Sequence, residues 1–433
     1  MLLISSYDND MKVSNLNDIV ENGLCAGCGI CESLAGHDAV EMQITPDQRL
    51  RPRTKNPLTD TVFQEILKVC PGVTIKGPNE DQAGSTGNTN DTFGPIASLY
   101  RGWATDDKVR FHAASGGALT ALATHLLQSG KVEAVLHVEA SGEEPVMTKE
   151  LVSTSAHQIY NGAQSRYGPG APLTQVHRLL DEGIIFAVVG KPCDIAAIKN
   201  LAELDQRVET QIPYTLTFFC GGLPSLQMPS DMAMHFGVKA TELSRFRFRG
   251  EGWPGLTHME TKDGRSFDLT YQECYLTENT PWTYDSQFRC KICPDAIGEL
   301  ADVVCADDGA VLENKKPNDR TVPGLSILIS RTPKGEALLR NAESTGAIVL
   351  EPFNEAELMA MHAAHMPRKI YWPARTLGLA LAGKPTITVR KFRRTKAIFS
   401  SGPIHFIKNV IGTFLRAQKG TTVETGFRKE RIG

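Results

Sequence analysis

Two groups of four cysteines carry the first chemistry this sequence offers. Cys25, Cys28 and Cys31 follow a C-x2-C-x2-C spacing, with Cys70-Pro71 further on. Cys290 and Cys293 form a C-x2-C pair closed by Pro294, while Cys193 and Cys220 stand singly before it, each after an apolar run. Eight of the ten cysteines fall into these sets. A 4Fe-4S cube takes four thiolates, one per iron, and a C-x2-C-x2-C run with a later Cys-Pro is how bacterial ferredoxins supply them. Ala26, Gly27 and Gly29 suit a loop that wraps a cube and aims backbone N–H groups at its sulfurs. Pro71 turns the chain away without adding a competing N–H. Where a two-cluster ferredoxin carries its next cysteine this chain has Ala35, so the N-terminal segment is expected to hold one cluster. Spacing alone leaves two alternatives open. A C-x2-C pair can be half of a zinc ribbon, and Cys193 and Cys220 can be buried core thiols.

Three further constellations could bind a cofactor. Ser115-Gly116-Gly117 opens a helical pattern, where Ser115 suits an N-cap and the glycines leave room for a phosphate at the positive end of the helix. In the turn Gln164 to Pro169, Arg166 can pair a phosphate and Tyr167 can stack on a flat ring. Arg245, Arg247 and Arg249 alternate with Phe246 and Phe248, as on a strand, before a turn containing Gly250, Gly252 and Trp253 that can lie against a planar group. The plainer counterparts are a capped structural helix, an ordinary loop and a sheet-edge strand with solvated arginines. No proton donor stands out. His112, His125 and His137 read as structural, and the catalytic residues stay unassigned.

The elements that must position these residues are α/β in character. Residues 116–129 place Leu119, Leu122, Ala123, Leu126 and Leu127 on one helical face. The runs 132–138, 184–189 and 214–219 read as buried strands. Cys193 and Cys220 follow two of them, at the strand ends where open α/β sheets bind ligands. The chain divides into a cluster module at 18–76, a Gly/Asn/Asp/Ser/Thr-rich flexible linker at 77–95, two parts of the main domain at 96–180 and 181–350, a helical extension at 351–389 and a basic tail at 390–433. In the tail, 404–415 has a helical apolar stripe (Ile404, Ile407, Val410, Ile411, Phe414, Leu415) flanked by Arg394, Lys396, Arg416 and Lys419. Such a helix can lie on an anionic membrane surface or dock on a partner subunit, and the plainer reading packs it on its own domain.

With 433 residues, 41% of them hydrophobic, the composition is that of an ordinary globular protein of two or three domains. A net charge of −3 makes no case for nucleic acid. The apolar start at Met1 to Ser6 lacks a basic lead and meets Asp8 at once, so it is not read as a signal peptide. Ten cysteines without an export signal point to metal ligation in a reducing, cytoplasmic setting.

Taken in order, these segments resemble the beta-subunit family of coenzyme F-420 hydrogenases and dehydrogenases, in the form with a fused N-terminal ferredoxin-like segment. The resemblance rests on the Cys25–Cys31 run, SGGALTALATHLLQSGKVEAVL (115–136), QSRYGPG (164–170), VVGKPCDIAAIKNL (188–201), FFCGG (218–222), RFRGEGWPG (247–255), CKICPD (290–295), ELADVVCADD (299–308) and GLSILISRTPKG (324–335). It implies an α/β, mixed-sheet flavin and iron–sulfur catalytic domain with a small ferredoxin-like module. It implies two 4Fe-4S clusters, one on Cys25, Cys28, Cys31 and Cys70 and one on Cys193, Cys220, Cys290 and Cys293. It implies FAD along Ser115, Gly116, Gly117, Arg166, Tyr167, Lys191, Arg249, Gly250 and Trp253. An oxidoreductase is expected in which ferredoxin or another one-electron donor feeds the clusters, and FAD passes a hydride to a small organic acceptor. Alternatives are a deazaflavin (coenzyme F-420) partner, or an electron-transfer subunit of a larger complex. Where relatives often read Gly-Asp-Ala-Trp this chain has Cys305-Ala306-Asp307-Asp308, which puts the local site shape in question. Cys274 and Cys305 default to buried thiols, and the oligomeric state is open, a homo-oligomer included.

Overall fold

The structure is a computed structural model that describes residues 13–79, 81–84, 87–90, 92–275, 280–309 and 323–427. The apolar start Met1 to Ser6 and the last six residues of the basic tail lie outside the described residues.

An eight-stranded sheet organises the chain, and its strands in spatial order are Ile348–Pro352, Ser98–Ala104, Ser326–Ser330, Val303–Asp307, Tyr214–Phe218, Phe186–Val189, Ala134–Ala140 and Thr148–Ser153. The four from 303–307 to 134–140 are mutually parallel, and antiparallel strands extend the sheet on both sides. The mixed α/β architecture is the expected one.

The central strands read as unbroken apolar runs because both faces are covered. Leu136, Phe186, Val188, Val304, Ile327 and Ile329 face one buried cluster. Their alternate neighbours Val135, Ala187, Val303 and Leu328 face the other, which also holds residues of helices Ala118–Gln128 and Pro333–Ser344. The period of two along a strand sorts them. A three-stranded sheet (Leu243–Arg247, Thr257–Thr261, Ser266–Leu269) adds a smaller core around Phe246, Phe248, Met259 and Trp282.

The N-terminal segment packs on the first face. Helix Leu16–Glu21, opened by a capping box between Asn15 and Asp18, contributes Leu16, Ile19 and Val20 to the same buried cluster as Val188 and Ile195. Strand Thr74–Lys76 pairs in parallel with Thr388–Arg390 from the far end of the chain. The stretch that reads as a linker is seated along its described residues. Gly77 N–H donates to Arg390 O at 2.7 Å, Asn88–Asn90 pairs with Gly94–Ile96, and Phe93 is fully buried with its carbonyl accepting from Arg331. One aromatic gives a polar stretch something to bury.

The helix expected over 116–129 spans Ala118–Gln128, and its N-cap is Gly117 at φ +72°. Ser115 does not cap it, because its hydroxyl donates to Leu325 O at 2.7 Å. In the tail, helices Arg394–Ser401 and Pro403–Gln418 follow one another, and the second packs on Met366–Leu381. Among the described residues no helix is long and apolar enough to cross a membrane.

Candidate functional site

Helix, loop and capped helix end bring the first cysteine group together. Gly27 and Gly29 sit at φ +69° and +87°, a region open to glycine, and fold the Cys25–Cys31 loop tightly. The Gly27 N–H points at Cys25 Sγ, 3.4 Å away. Cys31 lies in the first turn of helix Ile30–Ala35, and Cys70 ends helix Asp60–Val69, its N–H bound to Ile66 O at 2.9 Å. The four thiols line one pocket with Leu16, Ile19, Val20, Met42 and Ile66, and no carboxylate or imidazole joins them there. Burial pushes the Cys31 thiol well up, and Cys28, Cys25 and Cys70 push it further.

Topology gathers the second group. Strands Phe186–Val189 and Tyr214–Phe218 are parallel neighbours, so Cys193 and Cys220 emerge at the same edge of the sheet. Cys193 sits in the first turn of helix Pro192–Leu201. Cys220 N–H donates to Ala296 O at 2.9 Å, fastening that strand end to the loop after Cys290 and Cys293. Burial, then the neighbouring Cys290 and Cys293, pushes the Cys220 thiol up to about 12. Cys193 is raised by burial and Asp194, with Cys220 and Cys290 adding to it.

Buried cations lie between the groups. Arg51 holds Glu424 through Nε at 2.6 Å and NH2 at 2.7 Å, donates to Gln287 Oε1 at 2.7 Å, and feels both Cys25 and Cys290. Arg289, equally buried, donates to Pro71 O at 2.9 Å, and where burial raises Cys25, Cys70 and Cys293 its charge offsets part of the rise at all three. Lys191 Nζ reaches Asp194 Oδ2 at 2.8 Å beside Cys193. Sequence marks neither arginine as a bridge, because their partners lie hundreds of positions away.

Around the first group four thiols with neither carboxylate nor imidazole among them match the ligand set of a cube. Among the described residues no three His, Cys, Asp or Glu converge tightly enough to hold a single metal ion. A cube spreads its four thiolates over four irons, one on each.

The three segments expected to hold a flavin converge on Arg249. Its guanidinium donates to Tyr167 OH at 3.1 Å, Asp307 Oδ2 at 2.7 Å, Ala114 O at 2.7 Å and Pro254 O at 3.0 Å, and lies over the Trp253 ring. Arg166 is held by the carbonyls of Phe246, Pro145 and Met147, and burial lowers it to about 10. A Cβ on Gly116 would lie 2.7 Å from Ser326 N, and one on Gly250 2.7 Å from His112 O, so both glycines serve close backbone packing. The indole N–H of Trp253 and the Thr148 hydroxyl are buried without a partner. Each is a polar atom that a ligand at its own position would satisfy. Asp307 and Arg249 thus give the divergent Cys305–Asp308 stretch a structural place. Cys305 and Cys274 are buried, and Cys274 Sγ donates to Thr257 Oγ1 at 3.2 Å.

Sequence reading missed a polar pair at this junction. His112 Nδ1 meets Glu251 Oε1 at 2.7 Å, and Gln164 Nε2 approaches His112 O at 3.2 Å. Gln164 and Glu251 both hold positive φ (90° and 58°), which is costly for non-glycine residues and marks an over-determined spot. The His112 ring stacks on Tyr160 at 4.2 Å, and its Nε2 is buried with no partner. Nothing in the spacing of His112 and Glu251 announces the contact.

Comparison with known proteins gives this geometry a family. The model for the N-terminal part of the coenzyme F-420 hydrogenase/dehydrogenase beta chain matches residues 99–178, and the model for its C-terminal part matches 185–356. A coenzyme F-420-dependent sulfite reductase of Methanocaldococcus jannaschii is 23% identical over 351 residues, covering 78% of this chain and 48% of that protein. The F-420-dependent formate dehydrogenase subunit beta of the same organism is 26% identical over 58% of this chain and 61% of its own length. A coenzyme F-420 hydrogenase subunit beta of Methanothermobacter thermautotrophicus is 21% identical over 61% of this chain and 88% of its own. The chain thus spans about half of the first relative's length. A chain of the F-420-reducing [NiFe] hydrogenase complex from Methanosarcina barkeri shares the fold, with a TM-score of 0.51 at 18% identity, covering 65% of this chain and 92% of that one. With the two models together matching more than half of its length, the chain belongs to the coenzyme F-420 hydrogenase/dehydrogenase beta-subunit family.

Proposed function

We propose that this chain is a cytoplasmic iron–sulfur flavoprotein oxidoreductase that joins a one-electron donor such as ferredoxin to a two-electron organic acceptor. The observation that carries the reading is the meeting of two groups of four buried or half-buried thiols across Arg51 and Arg289. Cys25, Cys28, Cys31 and Cys70 would hold one cube, and Cys193, Cys220, Cys290 and Cys293 the other. FAD would lie against the Ser115–Gly117, Arg166–Tyr167 and Arg249–Trp253 segments, with Lys191 between it and the second group. Bound there, the cubes supply single-electron transfer and FAD supplies hydride chemistry.

The chain's own residues do the rest. Arg51, Arg289 and Lys191 place positive charge where each added electron is received. Arg249 locks three loops into one wall. His112, oriented by Glu251 through Nδ1, keeps Nε2 available to hold or give a proton.

A second reading has specific support: the relatives' names carry coenzyme F-420, which makes this deazaflavin the alternative hydride partner. Anaerobic protein mixed separately with reduced ferredoxin and with reduced coenzyme F-420 separates the two. Bleaching of the flavin band by ferredoxin alone supports the first, and by the deazaflavin alone the second. Bleaching by neither would remove both.

A further inference from the structure

The C-terminal helical pair lies beyond both family matches, which end by residue 356, and the cysteine chemistry makes no use of its outer face. Helix Pro403–Gln418 is apolar on more than one side. Thr413 and Ala417 are buried, and a Cβ on Gly378 of helix Met366–Leu381 would lie 2.5 Å from Val410 O, so two backbones meet closely there. Ile404, Ile407, Ile411 and Leu415 stay out of that contact, between 50% and 67% exposed. At 3.6 residues per turn these four fall within about 80° of one another and run about 16 Å along the helix. By the same geometry Lys408 and Lys419 border the stripe.

Charge singles out what can cover this face. Residues 391–423 contain seven Lys or Arg and no Asp or Glu, in a chain whose net charge is −3. Protein–protein interfaces favour aromatic residues, Met and Arg, and are poor in Lys. Branched aliphatics edged by lysines instead match a helix lying in a lipid–water boundary, where lysine stems run along the apolar surface and the ammonium groups reach lipid phosphates. No described helix can span a bilayer, so the contact is with its surface.

We propose that helix Pro403–Gln418 docks the protein on an anionic lipid bilayer through Ile404, Ile407, Ile411 and Leu415, with Lys408 and Lys419 pairing headgroup phosphates. Co-sedimentation of the full chain with vesicles of phosphatidylcholine alone, and of phosphatidylcholine mixed with phosphatidylglycerol, tests this. The full chain should pellet with the mixed vesicles, release on raising the salt, and stay in solution with the neutral ones. The double variant Ile407→Glu/Ile411→Glu should lose binding. Lys408→Gln/Lys419→Gln should weaken it about tenfold or more. Circular dichroism and unchanged iron content check that both variants fold. Failure of the full chain to bind anionic vesicles, or undiminished binding by the isoleucine variant, would overturn the proposal. So would a dimer in light scattering that Ile407→Glu/Ile411→Glu breaks while vesicles are ignored, because the stripe would then be an interface between two copies.

Discussion

Arg289 donates a hydrogen bond to the carbonyl of Pro71 across 2.9 Å, so the helix that carries Cys290 is fastened to the residue directly after Cys70. The two cysteine groups, 218 positions apart at this contact, share one buried cation. Replacing Arg289 by Leu removes a positive charge from between them. On the proposed function both cluster potentials should fall, since an added electron loses a favourable neighbour. Spectroscopic redox titration reads each centre, and a shift in only one would mean that Arg289 serves one site alone.

Arg51 and Glu424 make the second link, a buried two-pronged ion pair spanning 373 positions. Arg51→Leu leaves Glu424 with only the longer contact to Arg49 Nε at 3.9 Å and should cost about 3 kcal/mol in urea unfolding. The double variant Arg51→Leu/Glu424→Leu should regain most of that. A double variant as unstable as the single one would place the loss in packing and not in the stranded charge.

These two arginines also show where sequence reading runs out. The C-x2-C spacings, the apolar strands and the cysteines at strand ends are legible because each is local: a few neighbours and a fixed period state them. Arg51 and Arg289 look like surface residues by type, and only the folded chain brings Glu424 and Pro71 to them. Phe93 is lost in the average of a polar stretch that reads as a linker. Arg249 reads as part of a strand face, but the strand ends at Arg247, which frees Arg249 to bind three loops. Ser115 reads as a cap from its type. Leu325 O, 210 positions away, takes its hydroxyl instead.

His112→Gln keeps a polar side chain beside Glu251 but removes the ring nitrogen that could hold a proton. On the proposed function, hydride turnover should fall about 10²–10⁴-fold while flavin and iron contents stay level. Stopped-flow reduction of the acceptor, with cofactor analysis of the same sample, checks it. A drop in flavin content to match the activity would make His112 a structural residue of the loop.

His137 gives the fold a pH dependence. Burial pushes it down to about 4, against about 6.5 for an unfolded histidine, and its Nε2 lies 2.7 Å from Ser153 Oγ. Between those values the unfolded chain binds a proton that the folded chain refuses. The contribution is complete above about pH 6.5 and declines as pH falls toward 4, by about 3 kcal/mol in all. In denaturant unfolding across this range, His137→Gln should show a shallower loss, by about one proton. An identical slope would move the effect to other groups.

The central claim, two cubes and one flavin on these eight cysteines and the Arg249 junction, is tested most directly by counting. Protein purified without oxygen should hold about eight irons, eight acid-labile sulfides and one FAD per chain, and Cys28→Ser should lower the iron and sulfide counts to about four each while FAD stays. Stoichiometric zinc, or four irons in the unaltered chain, would contradict the account.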